Sequence, residues 1–170
     1  MNNLIFTNNE IIIFNELNIK YLPNECLKLI DNYLPYTFEN SVELKKAVLL
    51  WEKNKEKALQ NYGPISSWNV SKISDFSNLF CNMRIFNEDI SCWDVSNGEN
   101  MEFMFYLCIE FNQNLSAWNV NNVKNMDHTF TGCKNFNSDL SNWNVSNVEN
   151  IEYIFYGCDA LYQNLSTWNV

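Results

Sequence analysis

From residue 66 onward the apolar and polar positions recur on a fixed beat. Trp68, Trp93, Trp118, Trp143 and Trp168 stand 25 residues apart every time. Other apolar columns keep the same spacing: Val70, Val95, Val120, Val145 and Val170; Phe80, Phe105, Phe130 and Phe155; Ile90, Leu115, Leu140 and Leu165; and Phe86, Phe111, Phe136 and Leu161. The repeats run 66–90, 91–115, 116–140 and 141–165, and a fifth begins at 166–170, with no insertion or deletion. Self-similarity at this period marks an array of stacked units. One such unit cannot bury its apolar face alone; its neighbours supply the core. Columns that recur once per coil therefore predict continuous apolar ladders.

Two shorter periods sit inside each repeat. Met101, Met104, Phe105 and Cys108 fall at i, i+3, i+4 and i+7, as do Phe76, Leu79, Phe80 and Met83, and Ile151, Ile154, Phe155 and Cys158. This spacing predicts a short helix, broken in the third repeat by Thr129. The segment L-S-x-W-N-V predicts a short strand. The expected fold class is α/β: a right-handed solenoid, leucine-rich-repeat-like, of short strands and short helices over 66–170, with four coils and a final strand. Polar columns fill the corners, one of Asn69, Asp94, Asn119, Asn144 and Asn169, another of Asp75, Asn100, Asn125 and Asn150. Such side chains bond nearby backbone and tolerate left-handed conformations, which predicts that they satisfy the turns. A serine column (Ser66, Ser91, Ser116, Ser141, Ser166) is expected to help.

Residues 1–65 do not repeat and form the expected N-terminal segment and helical cap. Leu4–Phe6 and Ile11–Phe14 flank Thr-Asn-Asn-Glu, as in a small hairpin. The stretch LPNECLKLIDNYLP (22–35) predicts a helix between Pro23 and Pro35, with Leu27, Ile30 and Leu34 on one face. Residues 41–62 predict an amphipathic helix or helix pair, opened by Asn40 with Glu43 and closed by Gly63 and Pro64. Leu44, Ala47, Val48 and Trp51 form its apolar face, continued by Ala58, Leu59 and Tyr62. Its expected task is to cover the first coil.

WDVSNGENMEFMFYLCIEFNQNLS (93–116) and WNVSNVENIEYIFYGC (143–158) carry the clearest form of the motif. It resembles the BspA-like family of leucine-rich repeats, found in mycoplasma surface lipoproteins and in proteins of large DNA viruses and protists. The resemblance covers 66–170, and residues 43–71 are similar to the lead-in that precedes such repeats. It implies protein binding or adhesion and no catalytic residue. Separately, LPNECLKLIDNYLP resembles the opening helix of an F-box. That resemblance implies a ubiquitin-ligase substrate adaptor as an alternative function, and a surface or virion structural protein is a third.

Charge narrows the partners. The formal net charge is −9. Residues 1–65 hold 8 acids and 7 bases, whereas 66–170 hold 12 acids and 4 bases. An array so acidic repels phosphate backbones, so no nucleic acid is expected and a basic protein partner is. No signal peptide or transmembrane run is visible, so no membrane insertion and an intracellular location, the cytoplasm of a host included, are expected. Sequons at Asn69, Asn114, Asn144 and Asn164 arise from the repeat.

Candidate chemistry is sparse. Cys108, Cys133 and Cys158 share a column with Met83, which reads as bulk for a core and not as ligation. No C-x-x-C pair, phosphate loop, zinc motif or serine triad is present. His128, the single histidine, points away from Cys133 on a helical projection. No catalytic, cofactor-binding or metal residue is expected, and no cofactor. The same projection turns Phe103, Tyr106, Tyr153 and Tyr156 outward as a partner-binding aromatic strip interrupted in the third repeat, where His128 and Thr131 stand. The sequence stops at Val170 straight after a predicted strand, which leaves three expectations: a longer gene product of which this is a fragment, end-on self-association with another copy through the C-terminus, or a partner that covers the end.

Overall fold

The computed structural model describes residues 34–168 and the backbone at 6–7 and 10–11. The chain divides into two compact units, Met1–Leu34 and Pro35–Val170. In the first, β1 (Phe6–Thr7) pairs antiparallel with β2 (Glu10–Ile11), Phe6 opposite Ile11 and Thr7 opposite Glu10. This is the hairpin expected around Thr-Asn-Asn-Glu. The helix expected over 22–35 lies, up to residue 33, outside the described residues.

The second unit opens with α1 (Ser41–Lys53) and α2 (Lys55–Tyr62). Both starts are capped by asparagine: the Asn40 side chain accepts from the Glu43 amide, and that of Asn54 from the Lys57 amide. Asn54 also ends α1, so one residue divides the amphipathic stretch into a pair. Gly63, at φ 71, closes α2 by donating to the Leu59 carbonyl. Leu44, Ala47, Val48 and Trp51 are buried as the pattern requires, and Ala58 is buried with them. Leu59 is not part of that face; it is 41% exposed. Trp51 and Phe38 bring their rings to 5.7 and 5.0 Å from that of Trp68, so this region covers the first repeat.

The repeats stack in register, but the expected fold class is wrong. Among the described residues the repeats contain no α-helix and no strand, only the 3-10 turn Ile65–Ser67 at the start of the first, further turns, and isolated parallel bridges that join Thr37 to Asn69 and link Asp75, Asn100, Asn125 and Asn150. A leucine-rich-repeat-like solenoid of strands and helices is therefore not what forms. The reason lies in where alternate amides point. Phe76, Asn78, Phe80 and Asn82 donate to the carbonyls of Asn100, Glu102, Met104 and Tyr106 in the next repeat, at 2.7–2.9 Å. The amides between them, on Leu79, Cys81 and Met83, turn back to the carbonyls of Phe76, Asn78 and Phe80. A helix would need every amide inside one repeat, and a strand would need none turned back on its own repeat. Asn78 and Asn82, at φ 57 and 66, reverse the chain at the third position of such turns, where type II turns require φ above zero. The i, i+3, i+4, i+7 spacing is thus real as a burial pattern and arises from consecutive turns.

The core lies between these coils. Trp68 and Trp93 stack at 6.3 Å, Trp118 and Trp143 at 6.5 Å, and Trp143 and Trp168 at 6.3 Å between ring centroids. From Trp93 onward the indole N–H donates to a carbonyl 28 residues earlier, Trp93 to Ile65, Trp118 to Ile90, Trp143 to Leu115 and Trp168 to Leu140, whereas that of Trp68 donates to Gly63. Phe80, Phe105, Phe130 and Phe155 form a second ladder with rungs of 5.4, 5.4 and 5.8 Å. Thr129, which breaks the apolar pattern, is fully buried, and its hydroxyl donates toward the carbonyls of Met101 and Met126. A buried hydroxyl so engaged avoids the cost of an unpaired polar group.

Candidate functional site

The turn that carries the outward aromatics is built the same way in successive repeats. In the second, Met101 and Met104 are buried and close the turn with an amide-to-carbonyl bond of 3.0 Å. The two residues between them, Glu102 and Phe103, are held at the surface. Phe103 sits at φ 54, His128 at φ 56 and Tyr153 at φ 53. Asn78 holds this place in the first repeat, and asparagine tolerates such backbone far better than bulky aromatic residues do.

Backbone bonds keep the column aligned. The Asn78 amide donates to the Glu102 carbonyl, Phe103 to Asp127, and His128 to Glu152. Phe103 and His128 stack at 4.7 Å and 20°, and His128 and Tyr153 lie 5.0 Å apart at 34°. Tyr106 meets Phe103 edge to face at 5.3 Å, and Tyr156 meets Tyr153 likewise at 6.1 Å. Tyr153 and Tyr156 are 60% and 69% exposed; Phe103 and Tyr106 are half-buried.

The four aromatics expected at the surface thus stand on one face, but the expected gap in the third repeat is only half real. His128 bridges Phe103 and Tyr153 in one column. Thr131, in the other, is buried with its hydroxyl donating to the Tyr153 carbonyl. His128 is therefore a ring in the ladder, a role that a helical projection of a lone histidine hides and that column alignment makes visible. Its Nδ1 is buried and has no hydrogen-bond partner among the described residues.

Glu102, Asp127 and Glu152 immediately precede the ring residues Phe103, His128 and Tyr153 in the chain. Asp127 accepts the Glu152 amide at 2.7 Å. On the neighbouring Glu99, Lys124, Glu149 column, the Lys124 ammonium lies 3.4 Å from Glu99.

The cysteine column belongs to the core. Cys108, Cys133 and Cys158 donate to the carbonyls of Phe80, Phe105 and Phe130, each at 3.0 Å. Burial pushes the Cys108 and Cys133 thiols far above their ordinary range and that of Cys158 to about 11. Thiols so held are poor nucleophiles, since the thiolate is the reactive form. Among the described residues, no three His, Cys, Asp or Glu side chains gather where a metal ion would bind. No helix among them is long and apolar enough to cross a membrane.

The asparagine columns do what their chemistry predicts. Asn69, Asp94, Asn119 and Asn144 accept amides two residues on, as do Asp75, Asn100 and Asn125. A third such column, Asp89, Asn114, Asp139 and Asn164, holds the amides of Ser91, Ser116, Ser141 and Ser166. Those serines thus take part as donors through their backbone.

No curated protein and no solved structure matches the chain. A family model described as "Mycoplasma protein of unknown function, DUF285" matches residues 49–168. That match takes in α2, nearly all of the stacked repeats and the whole aromatic face, and the chain belongs to this family.

Proposed function

We propose that the protein is a non-enzymatic interaction module that engages a protein partner through the face bearing Phe103, Tyr106, His128, Tyr153 and Tyr156. One observation carries this reading: the rings of Phe103, His128 and Tyr153 occupy left-handed backbone positions in one surface column, half-buried at the first two and exposed at the third. The first repeat fills the same place with asparagine, the less strained choice. Bulky residues there cost stability, of order 1–2 kcal/mol each, so a use in contact accounts for them better than a use in folding. Exposed aromatics that form one patch mark contact surfaces. The BspA-like resemblance of the motif supports the same role.

The test pairs binding with stability. Chemical cross-linking and affinity capture from cells of the source are compared for the parent and for Tyr106→Ser with Tyr153→Ser. The reading expects the variant to melt within error of the parent and to lose a captured protein. A large fall in melting temperature would show instead that these rings serve folding.

A further inference from the structure

We infer that the aromatic face recognises an extended segment of another protein that carries arginine or lysine at alternate positions. This rests on the interaction reading above and names the chemistry of its partner. Arginine and lysine are amphipathic: an apolar stem lies well on ring edges while the charged head seeks an acceptor. The face offers both parts side by side. Phe103, His128 and Tyr153 present a row of ring edges with rungs of 4.7 and 5.0 Å. Glu102, Asp127 and Glu152 are the residues just before those rings, and the backbone bonds between repeats hold them in the same register. Tyr156 stands nearly perpendicular to Tyr153, at 86°, and Tyr106 to Phe103, at 74°, with His128 a second ring 6.5 Å from Tyr106. Same-side residues of an extended chain are about 7 Å apart, longer than one rung and shorter than two, so two alternate cationic side chains fit along the three-ring row without pairing rung for rung. Charge selects against other occupants. The 12 acids against 4 bases in residues 66–170 repel a phosphorylated or nucleic-acid ligand and attract a cationic one.

Fluorescence anisotropy tests this with a labelled peptide of alternating arginine and glycine. Its matched control replaces arginine by citrulline, which keeps the stem and removes the charge. The protein is expected to bind the arginine peptide, with affinity falling as salt rises, and to bind the citrulline peptide about tenfold more weakly, the equivalent of two or so exposed ion pairs. Phe103→Asn with Tyr153→Asn removes two rings and leaves a side chain the first repeat already uses at this backbone. It should weaken arginine-peptide binding by a similar factor without lowering the melting temperature. Glu102→Gln with Glu152→Gln tests the charge alone and should flatten the salt dependence. Equal binding of both peptides, no binding of the arginine peptide, or tighter binding of a neutral oligosaccharide such as cellohexaose would overturn the inference. If the arginine peptide fails while the tyrosine-to-serine variant still loses its captured protein, this inference falls and the interaction reading stands.

Discussion

Gly98 occupies a column otherwise filled by Ile73, Val123 and Val148. A Cβ there would lie 2.9 Å from the Val95 carbonyl oxygen and 3.2 Å from the ring of Phe76. Phe76 is itself the largest member of the next column, where Met101, Met126 and Ile151 stand. A large ring in one repeat and a missing side chain in the following one therefore compensate each other. Gly98→Val is expected to destabilise the protein by about 1–3 kcal/mol through overpacking. Phe76→Met should rescue part of that loss, since the double variant frees the ring's space and lets the turn at Gly98 relax. A double-mutant cycle by urea denaturation would show coupling between the two; strict additivity would refute the pairing. Gly132 differs in kind. At φ 76, with the Leu107 side chain 2.6 Å from where its Cβ would be, Gly132→Ala adds both strain and contact.

The indole ladder is the element with the clearest energetic role. From Trp93 onward each tryptophan of the ladder fills space between coils and ties its own repeat to a carbonyl 28 residues back. Trp118→Phe keeps most of the apolar bulk and removes the donor to Ile90. That carbonyl keeps the Trp93 amide as a second partner, so it is not left bare. The expected cost is about 1–2 kcal/mol, near that of one hydrogen bond with a little lost surface. Chemical denaturation should show it as a lower midpoint with an unchanged slope. The helix pair makes a comparable prediction. Asn54→Ala removes the side chain that accepts from the Lys57 amide, and about 1 kcal/mol of stability should go with it.

Taken together, the repeats are joined by bonds between nearby coils and share one register. Removing residues 116–140 joins Leu115 to Ser141 in phase, which leaves every ladder continuous. Circular dichroism should show a cooperative fold for that deletion, with a lower melting temperature because one set of contacts between repeats is gone. Deleting Asn121 alone shifts the columns by one residue and should be far more damaging. If both deletions melted alike, register would not be what holds the array.

The pH response has two limbs. The Tyr36 hydroxyl and the Glu39 amide hold Glu43 below its ordinary range. Burial of Asp75 opposes its charge, but bonds from Ser77 and the Lys45 ammonium outweigh burial and lower its titration too. Both are carboxylates depressed in the folded state. Their contribution is present above the ordinary carboxylate range and is lost as pH falls through the depressed values. Tyr36, bonded to the Glu43 carboxylate, is pushed up to about 12 from an ordinary 10.0. Its contribution is complete below 10 and is lost as pH rises toward 12. Tyr36→Phe should abolish that alkaline loss and raise the Glu43 titration, seen in the pH dependence of the melting temperature.

Periodicity in the chain was enough to place the coils, their common register, the buried columns and the face that carries Phe103, Tyr106, Tyr153 and Tyr156. It sufficed because apolar side chains that recur once per coil can be buried only by stacking. Helix or turn was beyond its reach: the Met101, Met104, Phe105, Cys108 spacing fits both, and the choice depends on where alternate amides find acceptors. Those acceptors belong to the next repeat, 24 residues away, so no local window contains them. The place of His128 was settled in the same way, by rings above and below it that are 25 residues distant in the chain and about 5 Å away in space.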